Sequence, residues 1–197
     1  MSRLSCIACF CLGIVCCFWA CTTSSNTTSS SSNVTTTHKG EKEFEAYLER
    51  KKNKLKGKKV PSFSIKTIDG KVYNTADMGD KVLLLNFWFA ACKPCITEIP
   101  SLNELHDQFA KKDLVVLSVS TDKNELAKKL AVEHKIRYHV SSDGLNFANR
   151  LEVSTYPTSF LIDKKGIIRE VFIGASSFDA TYTYTEIKPH LEHLLNQ

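Results

Sequence analysis

Val82-Leu83-Leu84-Leu85-Asn86-Phe87-Trp88-Phe89-Ala90-Ala91-Cys92-Lys93-Pro94-Cys95 is the stretch from which the rest of the chain is read. The near-continuous apolar run from Val82 to Phe89 is what a strand buried on both faces requires. From about Pro94 to Lys111 the pattern changes, with Ile99, Leu102, Leu105 and Phe109 at helical spacing. Two cysteines therefore stand where a buried strand hands over to a helix. Free N–H groups and the dipole at a helix N-terminus stabilise a thiolate, and the thiolate is the nucleophile. Pro94 is tolerated there because its missing N–H leaves no helical bond unmade. With two residues between them the sulfurs can meet, so the first can attack and the second can resolve a mixed disulfide.

The cysteine distribution supports chemistry rather than stapling. Of eight cysteines, six (Cys6, Cys9, Cys11, Cys16, Cys17, Cys21) fall at the start of the chain, and only Cys92 and Cys95 lie beyond it. A pair this close in sequence closes no long loop and adds little as a brace. As half of a zinc site it lacks partners: His106 is the nearest histidine downstream, about 16 Å away along a helix. Ile96 follows Cys95 where covalent haem attachment needs His. No metal site is expected, and no cofactor beyond a redox-active Cys92–Cys95 disulfide.

Outward from this centre, Glu41 to Lys56 reads as a charged helix with Phe44, Tyr47, Leu48 and Leu55 near one side. Phe63-Ser64-Ile65 and Val72-Tyr73 flank Asp69-Gly70 as a small hairpin. Leu114 to Ser120 is a second buried strand. Asn124 to His134 and Asp143 to Leu151 follow as helices. Thr158 to Asp163 and Ile167 to Ile173 form an antiparallel hairpin, and Ala180 to Leu195 a last helix. This order implies an α/β sheet, parallel at its centre with an antiparallel edge. The net charge of +5 comes largely from the run Arg50 to Lys59. No aromatic residue interleaves with it to stack on a base, so it reads as a solvated helix end, and no nucleic-acid partner is expected. His134, His139, His190 and His193 read as surface.

The N-terminus reads as an address. Leu4 to Ala20 carries no charge, follows Arg3, and ends on a small residue before Cys21. That is the plan of an export signal, with a short membrane span as the alternative. Thr22 to Thr37 is Ser, Thr and Asn apart from Val34, a composition expected of a hydrated tether. The expected division is residues 1–20 signal peptide, 21–40 tether, 41–59 charged helix or linker, and 60–197 folded domain. The small residue, the cysteine and the polar tether resemble a bacterial lipoprotein signal with Cys21 as the lipidated first residue. Phe18 and Trp19 depart from that pattern.

From Val60 to the C-terminus the chain resembles the thioredoxin superfamily, and within it the extracytoplasmic TlpA/ResA-like thiol–disulfide oxidoreductases. The likeness rests on Asn86 to Cys95, on Glu98 three residues beyond Cys95, on Pro100 five beyond it, and on Tyr156-Pro157-Thr158-Ser159-Phe160-Leu161-Ile162-Asp163. It implies a thioredoxin-like fold with an N-terminal β-hairpin extension, catalytic Cys92 and Cys95, and a cis-proline at Pro157. Trp88, Tyr156 and Pro157 would lie at the substrate-binding surface. It further implies protein thiol or disulfide substrates, a membrane thiol donor, a lipid anchor, and a place in the periplasm or on the outer face of the envelope. Cytochrome c maturation is a frequent task of such proteins. Thioredoxin has a buried Asp where this chain has Asn86, so Glu98 is the candidate to move protons at Cys95. Two other functions compete. A peroxiredoxin-like thiol peroxidase needs Thr three residues before its reactive cysteine, and Phe89 is there. A non-catalytic binding module has no use for an intact pair.

Overall fold

The computed structural model describes residues 33–197, with side chains from Gly40 onward. The expectations for the signal peptide and for Cys21 fall outside the described residues. Five strands form one sheet in the order β5 (His139–Ser141), β4 (Leu114–Ser120), β3 (Val82–Trp88), β6 (Thr158–Ile162), β7 (Ile168–Ile173). β3, β4 and β5 run parallel, while β6 is antiparallel to β3 and β7 to β6. This is the mixed sheet that the strand–helix order implied. The separate hairpin is β1 (Ser64–Lys66) with β2 (Val72–Asn74), closed at Asp69-Gly70, where Gly70 takes φ +89°. A Thr67–Ser141 bridge ties it to the sheet edge.

β3 is buried from end to end because both faces are covered. Leu83, Leu85 and Phe87 pack with Phe63, Phe147 and Phe160 on one face. Val82, Leu84 and Trp88 pack on the other, against Leu102 and Leu105 of α3 (Ile99–Phe109) and Ile187 and Leu191 of α6 (Tyr182–Leu195). Cys92 and Cys95 belong to this second core.

The single helix expected from Pro94 onward is two. α2 (Lys93–Thr97) stops at Glu98, and α3 starts at Ile99 with Pro100 in its first turn. Pro100 has no N–H to continue the α2 ladder, and its ring excludes the carbonyl behind it. Glu98 bridges the break, donating its N–H to the Pro94 carbonyl at 3.1 Å and accepting from the Leu102 N–H at 3.1 Å.

α1 (Asn33–Leu55) begins ahead of Glu41, inside the segment expected as tether. Extending a nucleated helix adds one hydrogen bond per residue fixed, which offsets the weak propensity of Thr. Leu48 and Leu55 are buried, whereas Phe44 and Tyr47 stay exposed. The charged segment docks beside β7: Gly57 donates its N–H to the Ile168 carbonyl at 2.8 Å, and Lys56 pairs with Glu170 at 2.6 Å. α4 (Asn124–Glu133) and α5 (Leu145–Arg150) flank β5 in the chain.

Gly144, which opens α5, lies so close to the end of β4 that an added Cβ would overlap Val119 Cγ1 and stand 3.1 Å from the Ser120 carbonyl oxygen. Gly144→Ala should lower stability by about 1–3 kcal/mol, the usual cost of overpacking. Urea denaturation would show this as a lower midpoint at unchanged slope; a midpoint equal to the parent's would mean that β4 gives way freely.

Candidate active site

Cys92 caps the N-terminus of α2 in an extended conformation, and its Sγ accepts a hydrogen bond from the Cys95 N–H at 3.3 Å. The two sulfurs are joined as a disulfide, with Cα atoms 5.3 Å apart. Cys92 is 5% and Cys95 2% exposed, while Lys93 between them is exposed. A partner can therefore reach Cys92 only at the helix tip.

The loop leading to Cys92 is held by a residue that sequence reasoning missed. Asp122 Oδ2 accepts from the Ala90 N–H at 2.6 Å and from the Ser120 hydroxyl at 2.9 Å. The Thr121 N–H closes on the Trp88 carbonyl at 3.1 Å. A carboxylate following a Ser at the end of a strand was the available signal.

Trp88 is buried beside the cysteines, and its indole N–H has no partner among the described residues. Its place is the core, in the cluster that also holds both cysteines, rather than the open surface. Phe89 meets Tyr156 edge-on, ring centres 5.3 Å apart. The Tyr156–Pro157 peptide is cis, and the Pro157 carbonyl accepts from the Gly174 N–H at 2.8 Å. Tyr156 packs against the core that contains both cysteines. The structure thus brings Trp88 and Tyr156 to the core cluster that holds the pair, with Pro157 next in the chain.

Beneath the disulfide lies a polar network set by strand register. Asn86 stands opposite Ser118 on one side and Ser159 on the other, so three polar side chains form one row across β4, β3 and β6. Ser118 donates its hydroxyl to Asn86 Oδ1 at 2.9 Å. Asn86 Nδ2 donates to Ser159 Oγ at 3.0 Å and to Glu98 Oε1 at 2.8 Å. Thr183 at the start of α6 donates its hydroxyl to Glu98 Oε2 at 3.1 Å.

Glu98 is only 3% exposed. The break before Pro100 turns it inward. Burial pushes its carboxyl up to about 8, and the hydrogen bonds from Asn86 and Thr183 offset part of the rise. That is close to an ordinary thiol, near 8.5. A cavity of about 50 Å³, bordered by Glu98, Pro157, Ser159, Thr183, Lys52 and Glu186, lies against the carboxyl and has room for water. Among the described residues, no group of three or more His, Cys, Asp or Glu side chains is placed to hold a metal ion.

The arrangement offers a two-electron dithiol/disulfide couple with a proton acceptor one helical turn from the inner sulfur. Phe89, three residues before Cys92, supplies no hydroxyl of the kind a peroxide-reducing cysteine requires.

The chain is similar to known proteins. Residues 56–171 match the AhpC/TSA family. The chain is 30% identical to the thiol-disulfide oxidoreductase ResA of a Bacillus cereus strain, over 73% of this chain and 84% of that protein. It is also 30% identical to the thioredoxin-like protein YneN of Bacillus subtilis, over 66% of this chain and 79% of that protein. Among solved structures, a thiol:disulfide interchange protein of the thioredoxin family from Chlorobium tepidum TLS superposes with a TM-score of 0.60 at 25% identity, covering 71% of this chain and 97% of that one. The chain belongs to the AhpC/TSA family, with the thioredoxin-like fold and the Cys92–Cys95 pair of a thiol–disulfide oxidoreductase.

Proposed function

We propose that the protein is a disulfide reductase for exported proteins, with Cys92 attacking, Cys95 resolving and Glu98 moving the proton. The observation that carries this reading is the Cys92–Cys95 pair at the N-terminus of α2, with the Glu98 carboxyl buried one turn beyond Cys95. Cys92 thiolate attacks a substrate disulfide; one substrate sulfur bonds to Cys92, and the other leaves and takes a proton. Where Glu98 is ionised, a fraction that grows as pH approaches 8, Cys95 gives it its proton and attacks Cys92 Sγ, and the second substrate sulfur leaves and takes that proton as a thiol. The substrate gains two electrons and two protons, and the protein is left as the disulfide. A thiol donor in the membrane then restores the dithiol. Tyr156 and Pro157 bound the place where the substrate strand lies, with Trp88 packed in the core behind them.

The family resemblance and the N-terminal signal pattern also support a site outside the cytoplasm, with lipid on Cys21 and apocytochrome c among the substrates. Among the described residues no helix is long and apolar enough to cross a membrane. Attachment in this reading rests on the lipid alone.

Three measurements test it. Cys95→Ser should accumulate a mixed disulfide through Cys92, and Cys92→Ser should trap nothing. Trapping by the second variant instead would reverse the roles.

Glu98→Gln keeps the shape and removes the ionisation. The resolving step should slow by about a hundredfold, the low end of the range for general acid–base catalysis, and its pH dependence near neutrality should flatten. Stability responds with a definite sign. The folded carboxyl titrates at about 8 and the unfolded one near 4.5, so between these values the native state holds the extra proton. Parent stability therefore falls as pH rises through that window, and the Gln variant lacks this loss. Overlaying pH–rate and pH–stability curves would reduce Glu98 to packing.

Mass spectrometry of membrane-extracted protein should find a lipid-bearing Cys21 and no peptide from Ser2 to Ala20. A soluble mature form that starts elsewhere would refute the anchor.

A further inference from the structure

Phe178 is 92% exposed, the most exposed of the large apolar side chains among the described residues. It stands in the segment between β7 and α6, and two hydrogen bonds fix the ends of that segment beside the active site. At its start, Gly174 donates its N–H to the Pro157 carbonyl at 2.8 Å. In its middle, the Thr97 hydroxyl of α2, which donates to the Lys93 carbonyl at 3.1 Å, lies 3.5 Å from the Ser177 carbonyl. At its end, the Ser101 hydroxyl of α3 donates to the Ala180 carbonyl. Locally, Ser176 Oγ accepts from the N–H groups of Phe178 at 3.2 Å and Asp179 at 2.9 Å. The ring is therefore held out in water by an anchored loop. The Lys93 ammonium, carried by a residue between the two cysteines, sits 5.0 Å from its centre. Among the described residues Lys93 has no carboxylate partner, and the nearby Asp179 carboxylate is occupied by the Thr181 N–H at 2.8 Å and hydroxyl at 2.7 Å.

A fixed aromatic ring left in water, with an unpaired cation over it and a reactive disulfide at the base of that cation, has the composition of a binding anchor. On the reductase reading, we infer that Phe178 and Lys93 select the substrate. They take an extended segment of a disulfide-bonded protein that carries a large apolar side chain and a carboxylate close to the reacting cysteine. The apolar side chain covers the Phe178 ring, and the carboxylate pairs with Lys93. The surface is continuous with the reaction site through Lys93 on one side and through the Gly174–Pro157 bond on the other. A segment lying along the cis-proline thus meets the ring as it leaves the cysteines.

The test uses the reduced full chain and three disulfides: a peptide pair with Leu and Glu flanking each cysteine, the same pair with Gly and Ser, and hydroxyethyl disulfide. Phe178→Ala leaves the fold intact because the ring is packed against little but the Lys93 chain. It should lower kcat/KM for the Leu/Glu peptide about tenfold, the scale of losing one interfacial aromatic anchor. Rates on the other two disulfides should stay at the parent value, and Phe178→Trp should restore the first. Equal rates for parent and Phe178→Ala on all three, or an equal loss on all three, would overturn the inference while leaving the reductase reading standing. A parent that reduces none of the three would remove that reading and this inference with it.

Discussion

The hydrogen bond from Asn86 to Glu98 is the constraint on which the site depends. A carboxyl removed from water is costly unless its oxygens are satisfied, and here each oxygen has one donor, Asn86 for Oε1 and Thr183 for Oε2. The amide is satisfied in turn: both Nδ2 hydrogens are used, on Glu98 and Ser159, and Oδ1 accepts from Ser118. An aspartate at position 86 would place two carboxyls within 2.8 Å, and one would be forced to keep its proton. The amide avoids that conflict. It leaves one titrating group beneath the disulfide, and its pKa is then governed by burial rather than by a like-charged neighbour.

That pairing explains features at a distance from it. Glu98 can face Asn86 only because the helix breaks before Pro100, so the kink delivers the carboxyl as well as bending the helix. Thr183 reaches Glu98 only because α6 packs over the same face of the sheet as α3, through Ile187 and Leu191. Polar networks of this kind are costly when partly satisfied and specifying when complete. Completion here requires β3, β4, β6, the α2–α3 break and α6 all in register, which ties the chemistry to the whole domain rather than to one loop.

How much of this the sequence disclosed follows from where each signal is carried. The central strand, the cysteine pair, the hairpin and the terminal strands were legible because each is a local pattern of apolar residues, glycine or proline. Ser118, Ser159 and Thr183 were not. A lone hydroxyl inside a buried strand or at a helix start breaks no period, and only the register between strands reveals that Ser118, Asn86 and Ser159 share a row. β5 was missed because three residues are too few to show alternation. His139, within it, is half-buried between the rings of Tyr73 and His106 rather than at the surface, 4.8 and 5.9 Å from their centres. Glu98 was singled out by its distance from Cys95, but its burial depended on whether one helix or two ran through it.

The two charged groups flanking the cysteines act with unequal strength. Lys93 is exposed, and its ammonium leans toward Phe178, so its attraction for a thiolate is screened as in water: about 1 kcal/mol at 4 Å. Glu98 is buried, where the same separation is worth about four times as much at the effective dielectric found near protein surfaces. The two effects also oppose each other: the cation favours a thiolate at the exposed tip, and the ionised carboxylate disfavours one at the inner sulfur. Burial therefore decides which charge counts: the carboxyl acts where water screens it little and the ammonium where water screens it fully, so a change of charge at Glu98 reaches the cysteines more strongly than the same change at Lys93.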